Sequence, residues 1–231
     1  MRPRPFAFLL AALSSTACVS HAPLEQQVPH VAYQAAGPVV VSVNDQRHWL
    51  QEGKDGTFIG RAHGSFGIPV DLAVYPYYGQ DKKNKQQTLA SALEERIVLG
   101  LSSDGWAASA PPAPAPLTAE LIRETLANSE GARLLVLTLR EWFVSLNLNW
   151  VTAFNFDWDV EIKVFAADGS SVKHAAKGRD VVDVAYNESY PNHIRFAYRE
   201  RLARLLEEPA VRAALQGSAA APTESAPASE P

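Results

Sequence analysis

Cysteine is nearly absent from this 231-residue chain, in which Cys18 is the only one. A lone thiol cannot form a disulfide within the chain, so a disulfide-stapled scaffold is excluded. Metal-binding spacings such as Cys-x-x-Cys and His-x-x-x-His are missing, as are the glycine motifs of phosphate-binding and dinucleotide-binding loops. Local sequence therefore supplies no catalytic, cofactor-binding or metal-binding residue, and we expect a protein that is not an enzyme.

The chain also lacks a basic block. Its formal net charge is −4 and its pI is about 5.9, so nucleic acid is not an expected partner. Beyond the N-terminal residues, no apolar run has the length of a membrane-spanning helix. Hydrophobic residues make up 47% of the sequence, which is enough for the core of one domain with tails.

The N-terminus has the pattern of a secretory signal. Arg2 and Arg4 precede a short apolar run, and small residues then lead to Cys18. Residues 15–18 resemble a bacterial lipobox, which predicts a signal peptide over residues 1–17 and a lipid on Cys18. Val19 after the cysteine is the pattern associated with outer-membrane sorting. Ser15 stands where the lipobox usually has leucine, so cleavage by ordinary signal peptidase, giving a soluble periplasmic or secreted protein, is the alternative.

Composition divides the remaining chain. Residues 18–37 are polar and alanine-rich, and we expect a flexible tether that holds the domain off the membrane. Residues 38–208 are predicted to form a single domain, interrupted by a Pro/Ala linker at 107–116. Residues 217–231 have the composition of a disordered tail.

The longest apolar pattern lies in residues 132–167, which predict two strands joined by a hairpin. Apolar residues occupy the even positions from Phe154 to Val164, and in the first strand Leu135, Leu137, Leu139 and Phe143 lie at odd positions. If these two apolar sets share one face of the sheet, the numbers of two directly paired residues must add up to an odd total. A total near 301 places the turn of the hairpin at Trp150 and Val151. This register places Arg140 and Trp142 on the same face as the acidic residues of the second strand. The start of the first strand has apolar residues on both faces, so we expect both of its faces to be buried.

The whole pattern predicts an α+β fold, with an antiparallel sheet of four to six strands packed by two main helices. Thr88 or Asn84 is the expected cap of the first helix, and Gly105 its terminator. The other predicted strands lie at 38–43, 57–59, 70–74 and 172–185, and the other predicted helices at 118–128 and 192–207.

Three groups of residues are candidates for function. Tyr75, Tyr77 and Tyr78 cluster in one segment, and with Trp142 they form the candidate interaction surface. Asp157, Asp159 and Glu161 share one strand face, about 6.6 Å from neighbour to neighbour. That spacing suits paired acid–base chemistry or a hard cation, but a solvated strand face is the simpler and preferred interpretation. The arginines of the last helix suit acidic headgroups or an acidic partner, or else a solvated face.

Several short motifs follow one another in a recognisable order: Cys18, Val39–Val43, Asp45, Arg47, Ile59, Gly60 and Gly105–Trp106. This order resembles the YajG-type family of uncharacterised bacterial lipoproteins. The resemblance covers residues 38–185 and implies no catalytic residue. The Pro/Ala insert and the altered lipobox depart from the family pattern.

These observations favour a non-enzymatic, lipid-anchored periplasmic protein of the bacterial cell envelope. Its expected partners are the membrane, through Cys18, and other envelope components. The alternative is a binding module for a small hydrophobic or glycan ligand, using the tyrosines with Trp142 or Trp158. A hydrolase that uses Asp157 and Asp159 is the third hypothesis.

Overall fold

The computed structural model describes residues 21–64, 67–79, 84–111, 118–127, 132–147, 153–184 and 189–217. Cys18, the predicted signal peptide, the hairpin turn and residues 218–231 of the tail lie outside these ranges. In chain order the strands are β1 (Val39–Asp45), β2 (Phe58–His63), β3 (Pro69–Ala73), β4 (Ala108–Ser109), β5 (Arg133–Asn147), β6 (Ala153–Ala166) and β7 (Ser171–Asp183). The α-helices are α1 (His48–Gln51), α2 (Val74–Tyr77), α3 (Leu89–Ser103), α4 (Ala119–Ala127), α5 (Tyr190–Glu207) and α6 (Pro209–Leu215).

All seven strands form one sheet around the long strand β5. On one side of β5, β6 and then β7 pair antiparallel, as the hairpin pattern predicts. On the other side, β1 runs parallel to the first half of β5 and β2 runs parallel to its second half. β4 adds in parallel beside β1, and β3 adds antiparallel beside β2.

The sheet is therefore mixed, and the prediction of a purely antiparallel sheet is wrong. Parallel neighbours need a crossover connection of a dozen or more residues. Here the chain from β1 and β2 to β5 includes both α3 and α4, so the connection is long enough. Each half of β5 can thus pair with a different earlier strand.

Helices cover both faces of the sheet. α3, α5 and α6 pack on one face and enclose the main core. α4 covers the other face, where Leu126 packs with Leu134 and Val136. This confirms that the start of β5 is buried on both sides. The two longest helices, α3 and α5, are the two predicted main helices, but four shorter ones accompany them.

A β-bulge at Arg140 changes the register of the hairpin. Leu137 lies opposite Ile162, as the predicted parity requires, but Val144 lies opposite Phe156, one residue out of step. A single extra residue moves the core-facing set of β5 from odd to even positions. The parity prediction is thus correct before the bulge and wrong after it. Trp142 consequently faces the core and not the acidic side of β6.

The predicted tether at 18–37 is wrong for its described part, residues 21–37, because this segment is folded against α3 and α5. The Tyr33 hydroxyl donates to the Leu206 carbonyl at 2.7 Å, and the Trp106 indole N–H donates to the Tyr33 carbonyl at 3.0 Å. Gly100 of α3 permits the close approach, since a Cβ there would lie 2.1 Å from the Pro29 carbonyl oxygen. The buried side chains of the segment are Ala22, Gln27, Val28, Pro29, Val31 and Tyr33.

Two other predicted boundaries also change. α6 buries Val211 and Leu215 in the main core, so the folded domain extends beyond residue 208. Ala108 and Ser109, in the predicted Pro/Ala linker, form β4 beside β1. Residues 112–116 of that linker lie outside the described ranges.

Candidate functional site

The predicted aromatic surface divides into buried and exposed residues. Tyr78 and Trp142 are both 0% exposed, so their assignment to a surface is wrong. Their rings both pack against Tyr198, at centroid distances of 4.9 and 5.1 Å. The bulge turns Trp142 inward. Tyr78 follows the short helix α2, which turns its side chain into the core.

Tyr75 and Tyr77 are half-buried and remain at the surface. Tyr77 stacks on Tyr190, the first residue of α5, with ring centroids 6.0 Å apart. The Lys85 ammonium lies 5.7 Å from the Tyr75 ring centroid, within the range of a cation–π contact. An interaction role for Tyr75 and Tyr77 stays a prediction.

Arg195 holds this tyrosine segment against α5. Its guanidinium donates to the Pro76 carbonyl at 2.9 Å and to the Asn192 side-chain oxygen at 2.7 Å, and more distantly to the Tyr78 carbonyl. The side chain is fully buried, and burial together with the charge of Arg96 lowers its pKa to about 10. The arginine remains charged at neutral pH, and carbonyl groups satisfy it, so it has a positioning role.

Two members of the acidic row of β6, Asp157 and Glu161, are paired with cations on β5, β6 and β7. Arg179 of β7 pairs with Asp157, with N–O distances of 2.5 and 3.1 Å. Glu161 accepts from Arg140, Lys163 and Lys173 at 2.7 to 3.0 Å. Hydrogen bonding to Lys173 and then Lys163 lowers the Glu161 pKa to about 2, despite an opposing desolvation effect. A carboxylate held ionised in this way cannot serve as a general acid at neutral pH.

A hard cation is the other ligand that the spacing of this row would suit. Asp159 lies half-buried on the same strand face. Among the residues that the structure describes, no group of three or more His, Cys, Asp or Glu is arranged to hold a metal ion. The contacts of Asp157 and Glu161 support the interpretation as a charged strand face.

An open groove of about 630 Å³ lies between β7 and α5. Within the described part of the chain, β7 pairs only with β6, so its outer edge has no neighbouring strand. Val181 is 67% exposed at this groove, an unusual position for a valine among charged residues. The lining residues are 179–183 of β7 and, on α5, His193, Phe196, Ala197, Arg199, Glu200, Arg201 and Arg204.

The arginines of α5 do not share one role. Arg195 is buried beneath the tyrosine segment, as described above. Arg201 contacts both Asp180 carboxylate oxygens at 2.6 Å and lies 3.8 Å from the Trp158 ring centroid. Arg204 is exposed on the rim of the groove. The interpretation of one cationic helix face is therefore replaced by a groove with charges of both signs.

Sequence reasoning missed this groove because it depends on which strand lies at the sheet edge. The exposed valine between charged residues at 179–183 was the available signal.

A surface aromatic cluster was also missed. Trp49 of α1 stacks on Phe143 of β5 at 4.9 Å, and the Arg61 guanidinium lies 5.1 Å from the Trp49 ring.

The residues behind the family resemblance have structural roles. Arg47 is fully buried, contacts Asp45 at 2.7 and 2.8 Å, and donates to the Phe58 carbonyl at 2.7 Å. A Cβ at Gly60 would lie 2.1 Å from the Val144 carbonyl oxygen, so glycine allows β2 to approach β5. Gly105 ends α3 with a φ of +88°, a left-handed conformation that favours glycine.

No helix in the described ranges is both long and apolar enough to cross a bilayer.

No family model matches this chain, and no curated protein matches it. Solved structures similar to it include a DUF330-family protein from Xanthomonas campestris, with 10% identity, 78% of this chain and 87% of that chain covered, and a TM-score of 0.44. Lipoprotein GNA1162 from Neisseria meningitidis has 10% identity, with 74% of this chain and 99% of that chain covered, and a TM-score of 0.27. A neuraminyllactose-binding hemagglutinin homologue from Helicobacter pylori has 10% identity, with 85% of this chain and 95% of that chain covered, and a TM-score of 0.29. At these TM-scores the similarities carry no functional argument, and membership of the YajG-type family stays a prediction.

Proposed function

We propose that this chain is a non-enzymatic, lipid-anchored protein of the bacterial cell envelope that binds another envelope protein along β7. The groove between the outer edge of β7 and helix α5 is the observation that carries this proposal. Cys18 is the proposed site of the lipid, as the lipobox-like residues before it suggest.

The partner's contact is proposed to be an extended segment that adds to the sheet edge. An open strand edge offers main-chain hydrogen bonds to such a segment, and the adjoining side chains provide specificity. Val181 supplies an apolar contact at 67% exposure, while Arg179 and Arg204 offer largely exposed guanidinium groups on the two walls. An apolar centre with a charged rim is the usual composition of a protein interface.

In-cell photocrosslinking tests the groove. A photoreactive residue in place of Val181 is expected to give a discrete crosslinked protein band. The matched control is the same residue in place of Glu124, an exposed position on α4 across the sheet. Equal crosslinking patterns at the two positions would contradict the groove as the binding site.

A charge substitution provides a second test of the same groove. Val181→Glu adds an acid beside the existing aspartates and is expected to remove the crosslinked species from a second groove position, Arg204. Because Val181 is exposed, the substitution should leave the thermal unfolding midpoint nearly unchanged. A full yield of crosslinked product in a folded Val181→Glu variant would argue against the proposal.

A binding module for a small glycan or apolar ligand is the second candidate. The half-buried aromatic pair Trp49–Phe143 at the surface is the observation that favours it. Trp142 and Trp158 do not supply this contact, because Trp142 is buried and the Arg201 guanidinium lies over the Trp158 ring. Titration with cell-wall sugar fragments, wild type against Trp49→Ala, tests this candidate, and absence of a heat signal from wild type would remove it.

A further inference from the structure

The folded domain begins very close to the proposed lipid. Ala22 is buried, and its N–H donates to the Asn192 side-chain oxygen at 3.0 Å, while the Gln27 side chain donates to the Ala22 carbonyl. Only three residues separate Cys18 from Ala22. Four residue steps of extended chain span at most about 14 Å, whatever conformation they adopt. The headgroup layer of a bilayer is itself roughly 5–8 Å thick on each side.

The point where the domain begins is tied to the tyrosine segment by a short series of hydrogen bonds. Asn192 accepts from the Ala22 N–H and from the Arg195 guanidinium, which also donates to the Pro76 carbonyl at 2.9 Å. Arg195 is fully buried, and its hydrogen bonds to Asn192 and Pro76 are partly buried. A lipid on Cys18 would therefore bring residues 75–77 close to the membrane as well.

The side chains around this point suit a membrane interface. Tyr77 stacks on Tyr190, which lies in the same first turn of α5 as Asn192. Tyr75 is also half-buried, and the Lys85 ammonium lies beside its ring. Tyrosine is enriched at the headgroup level because its ring is apolar and its hydroxyl is polar. Lysine can extend its ammonium toward anionic headgroups.

From the short spacer and this composition we infer that Tyr75, Tyr77, Tyr190 and Lys85 form a membrane-contact face. This face rests on the headgroup region of the bilayer that holds the Cys18 lipid. The inference depends on the lipid anchor of the proposed function, but it is independent of the groove beside β7. The occupant is a lipid surface and not a protein, because the spacer leaves about 14 Å at most between Cys18 and Ala22.

Depth-dependent fluorescence quenching tests this face. Cys18 is the only native cysteine, and acylation blocks it, so one added cysteine can be labelled selectively. The full mature protein carrying Tyr75→Cys is labelled with an environment-sensitive fluorophore. It is then reconstituted into phosphatidylethanolamine–phosphatidylglycerol vesicles that contain nitroxide lipid. Glu124→Cys, on the opposite side of the sheet, is the matched control.

Several-fold stronger quenching at Tyr75 than at Glu124 is the expected result. Lys85→Cys, at an exposed position beside Tyr75, repeats the measurement in case the first substitution disturbs the tyrosine segment. Vesicle flotation with equal quenching at all positions would overturn the contact face while leaving the anchor intact. If the protein does not float with the vesicles and the fluorophore also labels Cys18, the thiol carries no lipid. That result would overturn both the lipid anchor and the membrane-contact face.

Discussion

Gly100→Ala should release the N-terminal segment from α3 and destabilise the protein. In an isolated helix the same change stabilises by about 1 kcal/mol, because glycine is a poor helix former. Here the added Cβ would lie 2.1 Å from the Pro29 carbonyl oxygen and 3.1 Å from the proline ring, so the segment must move away. The sign of the effect is therefore expected to reverse.

The magnitude follows from the side chains that the segment buries. Val28 and Val31 are 2% and 9% exposed, and burial of each is worth about 1.5–3 kcal/mol. The gain in helix propensity and the entropy regained by a freed segment offset part of this loss. We expect the free energy of unfolding to fall by about 2 kcal/mol.

Urea denaturation measures this loss, and hydrogen exchange followed by mass spectrometry locates it. Amides of residues 22–34 should exchange faster in the Gly100→Ala variant than in wild type. Ser102→Ala, at an exposed position of the same helix, is the matched control and should be neutral or slightly stabilising. A Gly100→Ala protein as stable as wild type, with unchanged exchange, would refute the packing argument.

Three further predictions concern the sheet and α5. Glu161 has a pKa of about 2 in the folded protein against an ordinary value of 4.5, so its stabilising effect is present above pH 4.5 and is lost as the pH falls toward 2. Glu161→Gln should thus be less stable than wild type at pH 7 and equally stable near pH 2. Urea titrations that give the same difference in free energy of unfolding at both pH values would contradict this. Gly60→Ala places a Cβ against the Val144 backbone and should lower the free energy of unfolding by more than about 3 kcal/mol, whereas Gly64→Ala should have little effect; circular dichroism melts distinguish the two. Arg201→Ala removes an ion pair and an indole contact and should cost about 1–2 kcal/mol with a change in tryptophan emission, and an unchanged melt and spectrum would argue against both contacts.

Local patterns predicted the regular elements well. The apolar spacing and the Thr88 cap identify α3, whose cap accepts from the Ser91 N–H at 3.2 Å. The alternation from Phe154 to Val164 identifies β6, because period two directly reports one buried face. These signals depend only on neighbouring residues, so one sequence suffices to read them.

Pairing between distant strands could not be read in this way. The valines of β1 are compatible with either strand direction, and only the long crossovers through α3 and α4 make the parallel arrangement possible. The bulge at Arg140 has no local signature, yet it decides that Trp142 is buried. The tether prediction failed because the segment has only a few large apolar residues, among them Val28, Val31 and Tyr33. Polar residues separate them, so they form no periodic pattern that would indicate packing.

The candidate sites were even less accessible from sequence. Tyr78 and Tyr75 are three residues apart, but α2 places one in the core and the other at the surface. The groove at Val181 requires β7 to be the edge strand, which depends on the whole sheet order. Surfaces assembled from distant elements carry no signal that local spacing can reveal.

Membrane fractionation with mass analysis of the mature N-terminus, wild type against Cys18→Ser, tests whether a lipid on Cys18 anchors the protein. We expect the wild-type chain to begin at Cys18, to carry a lipid mass and to sediment with membranes, whereas the variant should be soluble. A mature chain that begins elsewhere without lipid, or a Cys18→Ser protein that still fractionates with membranes like wild type, would contradict it.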